Sequence, residues 1–170
     1  MHDIYISIGS NINRSTNIRS SIEALKTIFK TLVISPVYET TAVGFDGQPF
    51  YNLVVSTKTL LSADETHQCL TKIENQHQRD RTQAKFSSRT LNLDLLLYDN
   101  LIIQTKALQI PRDEIIKYAF VLAPLADIAP ELKHPVYDQS YQQLWDEFDG
   151  SSQQIKLINF GLPTLDELIK

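Results

Sequence analysis

Arg89-Thr90-Leu91-Asn92-Leu93-Asp94-Leu95-Leu96-Leu97-Tyr98 reads as a β-strand with a different task on each face. Leu91, Leu93, Leu95 and Leu97 alternate with Asn92 and Asp94. A strand therefore sends the leucines into a core and holds the amide and the carboxylate together on the opposite side. Two residues of strand rise separate the two polar positions by roughly 7 Å, about the span over which two oxygen ligands hold a metal pair. Aspartate is a poor strand former, so Asp94 has a reason to be there beyond the fold. Arg89 stands just before the strand, where a guanidinium can grip a phosphate.

Working back toward the N-terminus, residues 79–88 form a polar, basic loop. Ser62-Ala63-Asp64-Glu65 has the spacing of a capping box and predicts a helix with Leu70 and Ile73 on its inner face. Residues 50–60 predict a strand, and residues 40–49, with Gly44, Gly47 and Pro49, a loop. Residues 32–38 predict a further strand, with Pro36 favouring an edge or a bulge. Ile18, Ile22, Leu25 and Phe29 recur at helical spacing. Residues 4–8 predict a first strand that enters a turn at Gly9-Ser10-Asn11.

On the C-terminal side, Asp99-Asn100 makes a turn before a short apolar piece at 101–103. Pro111-Arg112-Asp113-Glu114 reads as a helix start, with proline in the first turn and acids favouring the macrodipole. Short helices are expected at 122–128 and 141–148, and a terminal helical turn at Thr164-Leu165-Asp166-Glu167. The order β-α-β-β-α-β predicts an α+β, ferredoxin-like α/β sandwich, with a mainly antiparallel sheet and helices on one face. A length of 170 residues fits one domain, 1–170, with 151–170 as packing of undefined role.

The bulk properties narrow the function. A net charge of −4 argues against a nucleic-acid partner. Cys69 is the sole cysteine, which excludes a disulfide framework and suits a reducing cytoplasm. No segment approaches the roughly 20 apolar residues of a membrane span, and no signal peptide is evident. Arg79, Arg81, Lys85 and Arg89 crowd within eleven residues beside Asn92 and Asp94, and cations next to a metal strand are what a polyphosphate needs. Phe50, Phe86 and Phe120 are candidates for stacking a flat heterocycle. His67, His77 and His134 show no metal spacing and read as surface or capping residues.

Gly9-Ser10-Asn11, residues 40–52, Glu74 with Arg79 and Arg81, and above all the run from Arg89 to Asp94 resemble the 6-hydroxymethyl-7,8-dihydropterin pyrophosphokinase family over about residues 4–135. The resemblance implies pyrophosphate transfer from ATP to the hydroxymethyl group of a reduced pterin, with two Mg²⁺ ions, in a cytoplasmic monomer acting on small molecules. It implies a pterin pocket of Thr40, Val43, Gly44, Phe50, Asn52 and Phe120, and an ATP region of Glu74, Ile110 and Arg112. Arg79, Arg81, Arg89 and Asp94 would be catalytic, Asn92 and Asp94 the metal ligands, and Phe86 a lid. Three departures stand out. The family has aspartate where this chain has Asn92, commonly histidine where it has Arg112, and often arginine where it has Tyr118. Asn92 motivates a rival expectation, a weakened paralogue that binds pterin or nucleotide in a regulatory role. A ferredoxin-like RNA module is the third, opposed by the acidic charge.

Overall fold

Two antiparallel strands, β1 (His2–Ser10) and β4 (Phe50–Thr59), form the centre of the sheet, with His2 opposite Thr59 and Ser10 opposite Tyr51. The structure is a computed structural model and describes residues 1–163, so the helical turn expected at Thr164-Leu165-Asp166-Glu167 lies outside the described residues. Strand β2 (Val33–Ile34) pairs with β4, as does β3 (Val37–Thr40), and β5 (Asn92–Tyr98) lies along the other side of β1. The resulting path β5-β1-β4-β3 is the antiparallel sheet expected from the β-α-β-β-α-β order. Helices α1 (Arg14–Phe29) and α2 (Ala63–Gln76) make the two crossovers. Ile18, Ile22, Leu25 and Phe29 are the buried stripe of α1. Ser62 and Glu65 close the capping box of α2, with Ser62 Oγ accepting from Glu65 N–H at 3.2 Å and Glu65 Oε2 from Ser62 N–H at 2.8 Å.

The single strand expected over 32–38 is interrupted between β2 and β3 at Ser35-Pro36. Pro36 brings no N–H to the ladder. Ser35 bridges the gap twice, its N–H donating to the Val54 carbonyl and its Oγ accepting from Val54 N–H, both at 2.9 Å. The Gly9-Ser10 pair, expected to begin a turn, still belongs to β1.

Helices cover both faces of the sheet, where one face was expected. Ile4, Ile6, Ile8, Leu53, Val55, Leu93 and Leu95 pack with α1 and α2. Val54, Leu96 and Leu97 pack on the other side with α4 (Ala119–Ile128) and α5 (Tyr141–Asp146), which the four-residue α3 (Glu114–Lys117) introduces. The cause is visible in β4, where the uninterrupted run Leu53-Val54-Val55 is apolar on both sides and must be covered on both. In β5 the alternation breaks after Leu95. Tyr5 opposes Leu97 while Ile6 opposes Leu95, leaving Leu96 as an extra, bulged residue. Leu97 therefore joins the second core, not the one expected for the alternating leucines.

Three small strands were not foreseen in full. β6 (Ile103–Gln104) and β7 (Gln109–Ile110) form a hairpin that carries the chain to Arg112. β8 (Ile155–Ile158) pairs with β3 and gives part of the 151–170 tail a place in the main sheet. Among the described residues no helix is long and apolar enough to cross a membrane.

Candidate active site

A cavity of about 300 Å³ opens where β1, β4 and β5 end and is walled by the 40–49 and 79–89 loops. Gly9 sits at its centre, opposite Asn52 on one neighbouring strand and Asn92 on the other. A Cβ at Gly9 would stand 2.8 Å from Asn52 Oδ1, so a larger residue there would push the Asn52 amide out of its place. Asn52 Nδ2 donates to Thr40 Oγ1 at 2.8 Å, which fixes the amide at the cavity wall. Ser10 Oγ donates to the Thr90 carbonyl at 2.6 Å. Asn11 ties the two loops together. Its Nδ2 donates to the Gln48 carbonyl and to Ser88 Oγ, and its Oδ1 accepts from Arg89 N–H at 2.7 Å.

The charged half of the cavity is organised around Glu74, on the last turn of α2 and buried. Its carboxylate pairs with Arg79 and, at 2.6 Å, with Arg81, and also accepts from Leu93 N–H at 2.8 Å. Arg79 Nη1 reaches onward to Asn92 Oδ1 at 2.6 Å, and Arg89 Nη1 meets the same oxygen at 2.7 Å. Arg89 Nη2 donates to the Lys85 carbonyl. Burial, then repulsion from Arg79, lowers the pKa of Arg89, although a guanidinium keeps its charge at any ordinary pH. Asn92 Nδ2 donates to Asp94 Oδ2 at 2.5 Å.

The aromatic half is formed by Phe50 on β4 and Phe120 on α4, with Val43 and Thr40 beside them. Tyr118 stacks on Phe120, centroids 5.1 Å apart and planes 15° from parallel. The tail holds this pair in place, because Gln153 accepts from Ala119 N–H at 2.9 Å and donates to the Lys117 carbonyl at 2.8 Å. Phe86, half exposed, lies over Gly44, whose positive φ suits glycine and whose Cβ position would be 3.3 Å from the ring.

Most of the expected residues converge here. Thr40, Val43, Phe50, Asn52 and Phe120 line the cavity together with Arg79, Arg89, Asn92, Asp94 and Arg112. Four do not reach it. Gly44 lies behind Phe86, Ile110 is in the apolar core, Glu74 faces its arginines, and Arg81 is drawn to Glu74. Asn11, Glu114 and Tyr118 are structural contributors that sequence reasoning passed over as site residues. A turn tripeptide, a helix start and a missing arginine were the only signals they gave. His134, expected at the surface or in a cap, caps a turn but is buried, its Nδ1 accepting from Val136 N–H at 3.1 Å.

Among the described residues no group of three His, Cys, Asp or Glu side chains is placed to hold a metal ion. Asp94 fits one divalent cation, since among the described residues its Oδ1 has only a 3.7 Å ion pair with Arg112. A pair of cations does not fit, because the Asn92 oxygen is already claimed by two guanidiniums.

A family model described as 7,8-dihydro-6-hydroxymethylpterin-pyrophosphokinase matches residues 5–130. The 2-amino-4-hydroxy-6-hydroxymethyldihydropteridine pyrophosphokinase of Aquifex aeolicus is 34% identical over 149 residues, covering 86% of this chain and 92% of that protein. The Bacillus subtilis protein of the same name is 34% identical over 154 residues, with the same coverages. A solved structure of Plasmodium falciparum HPPK-DHPS superposes with a TM-score of 0.67 at 13% identity, over 86% of this chain and 43% of that longer one, and speaks for the fold alone. By sequence and by fold, the chain belongs to the 7,8-dihydro-6-hydroxymethylpterin-pyrophosphokinase family.

Proposed function

We propose that the chain transfers a pyrophosphoryl group from ATP to the hydroxymethyl group of 6-hydroxymethyl-7,8-dihydropterin. The observation that carries this reading is the join within one cavity between an aromatic slot and an arginine cluster. Phe50 and Phe120 would hold the flat pterin, with Asn52, oriented by Thr40, reading its polar edge. Arg79 and Arg89 would face the phosphates, Glu74 keeping the first of them extended toward β5. Arg81 would leave Glu74 for the phosphates only as the loop closes. Gly44 and Phe86 would close over the pterin from the loop side, and Ile110 would carry the backbone that sets Arg112.

The pterin hydroxyl oxygen attacks the β-phosphorus of ATP in line. The bond from that phosphorus to the oxygen bridging the α-phosphate breaks, and AMP leaves with the bond electrons. The hydroxyl proton passes to phosphate or water. Positioning and charge neutralisation supply most of the catalysis in such transfers, so no strong protein base is required. The arginines supply fixed positive charge where the phosphoryl oxygens gather negative charge. A magnesium ion at Asp94 would add to that neutralisation when bound; the second ion implied by the resemblance is not fitted by Asn92. On this reading the chain works on two small molecules, as a monomer in the cytoplasm. No observation favours the regulatory paralogue. Purified protein with ATP, the dihydropterin and Mg²⁺ is expected to yield AMP in proportion to pterin consumed; pterin-independent or absent AMP formation removes the proposal.

A further inference from the structure

Arg112 bridges two cavity carboxylates. Its Nη2 lies 2.9 Å from Glu114 Oε1 and 3.7 Å from Asp94 Oδ1. The backbone holds it there, because Arg112 N–H donates to the Leu96 carbonyl at 3.1 Å, and Leu96 is the bulged residue of β5. Its Nε is buried and has no hydrogen-bond partner among the described residues. A guanidinium thus stands between two acids at the cavity wall, where a cation has a site to occupy.

Asn92 closes the other route to a second ion. Its Oδ1 accepts from both Arg79 and Arg89, and its Nδ2 faces Asp94. Turning the amide over to offer oxygen beside Asp94 would set its NH₂ against two guanidinium donors and lose two charge-assisted hydrogen bonds. An aspartate at position 92 would face both ways at once; an asparagine does not.

We propose that this cavity takes ATP with one divalent cation, at Asp94, and that Arg112 supplies the charge of the second. The inference rests on the pyrophosphokinase reading and deepens it. Arginine suits the exchange, since it keeps its charge and binds phosphate oxygens through two parallel N–H groups. A single fixed guanidinium also removes one of two dissociable ions from the assembly.

The test counts ions rather than turnover. Protein is mixed with one equivalent of α,β-methylene ATP well above its dissociation constant, and Mn²⁺ is titrated while electron paramagnetic resonance reports the free ion. One Mn²⁺ per complex is expected for the unaltered chain and two for Asn92→Asp. Arg112→Gln is expected to weaken analogue binding at saturating Mn²⁺ by about 10- to 100-fold, the effect of one charged hydrogen-bonding group, and Arg112→Lys to retain most of the affinity. Two Mn²⁺ per unaltered complex, or analogue binding by a folded Arg112→Gln chain as tight as before, overturns the inference while leaving the pyrophosphokinase reading standing. Absence of any analogue binding overturns both.

Discussion

Glu74→Gln is the substitution that most directly tests how the site is held. Glu74 and Arg79 have side chains only 5% and 14% exposed, so the pair is largely out of water. Glutamine can still accept from Leu93 N–H, now made at 2.8 Å, but leaves Arg79 facing a neutral partner. Removing one member of a buried pair costs about 3–5 kcal/mol. The lower end applies, because Arg79 retains Asn92 Oδ1 and an opening to the cavity. The second pair adds little, since the Arg81 side chain is 43% exposed and exposed ion pairs contribute at most about 1 kcal/mol. A loss of about 3 kcal/mol lowers Tm by roughly 6–12 °C in a chain of this size. Urea unfolding followed by Trp145 fluorescence measures it, and a double-mutant cycle with Arg79→Met is expected to show a coupling of about 2 kcal/mol. A loss below about 1 kcal/mol, or additive effects in the cycle, refutes the view that Glu74 anchors the arginines by charge.

Two further perturbations read other parts of the molecule. Gly9→Ala drives a methyl group into Asn52 Oδ1, and Thr40 holds that amide against retreat; KM for the pterin is expected to rise about tenfold, equivalent to about 1.4 kcal/mol, with KM for ATP little changed, and equal rises in both would sink the assignment of Asn52. Burial holds the His134 pKa below its ordinary value, so between the folded value and about 6.5 the unfolded chain binds more protons. Stability is therefore expected to fall as pH drops below about 6.5, by no more than about 1.4 kcal/mol per pH unit, and to level off below the folded value. Urea midpoints at pH 7.5 and 5.5 that do not differ between the parent and His134→Gln would show that the ring is not held neutral.

The local elements were legible where one physical signal dominated. The stripe Ile18-Ile22-Leu25-Phe29 and the Ser62–Glu65 capping box each depend on neighbours within one turn, and both stand as expected. Alternation placed Leu91, Leu93 and Leu95 in one core and Asn92 with Asp94 on the opposite face. The same rule failed at Leu97, because a bulge is a mismatch between two strands and only the pairing with β1 reveals it. Strand β8 was hidden for a related reason. Ile155-Lys156-Leu157-Ile158 carries no clean period, and its place comes from the exposed edge of β3.

By itself the sequence determined helices α1 and α2, the three long strands β1, β4 and β5, the grouping of arginines before β5, and the family, since each follows from the order and spacing of residues along the chain. Tertiary structure alone decided what those groups do to one another. It turned Glu74 away from the cavity toward two guanidiniums, engaged the Asn92 oxygen, and set Arg112 between Asp94 and Glu114. The physical reason is that a hydrogen bond or an ion pair depends on distances of a few ångströms, and residues 74, 79, 92 and 112 reach such distances only when the sheet brings distant parts of the chain together.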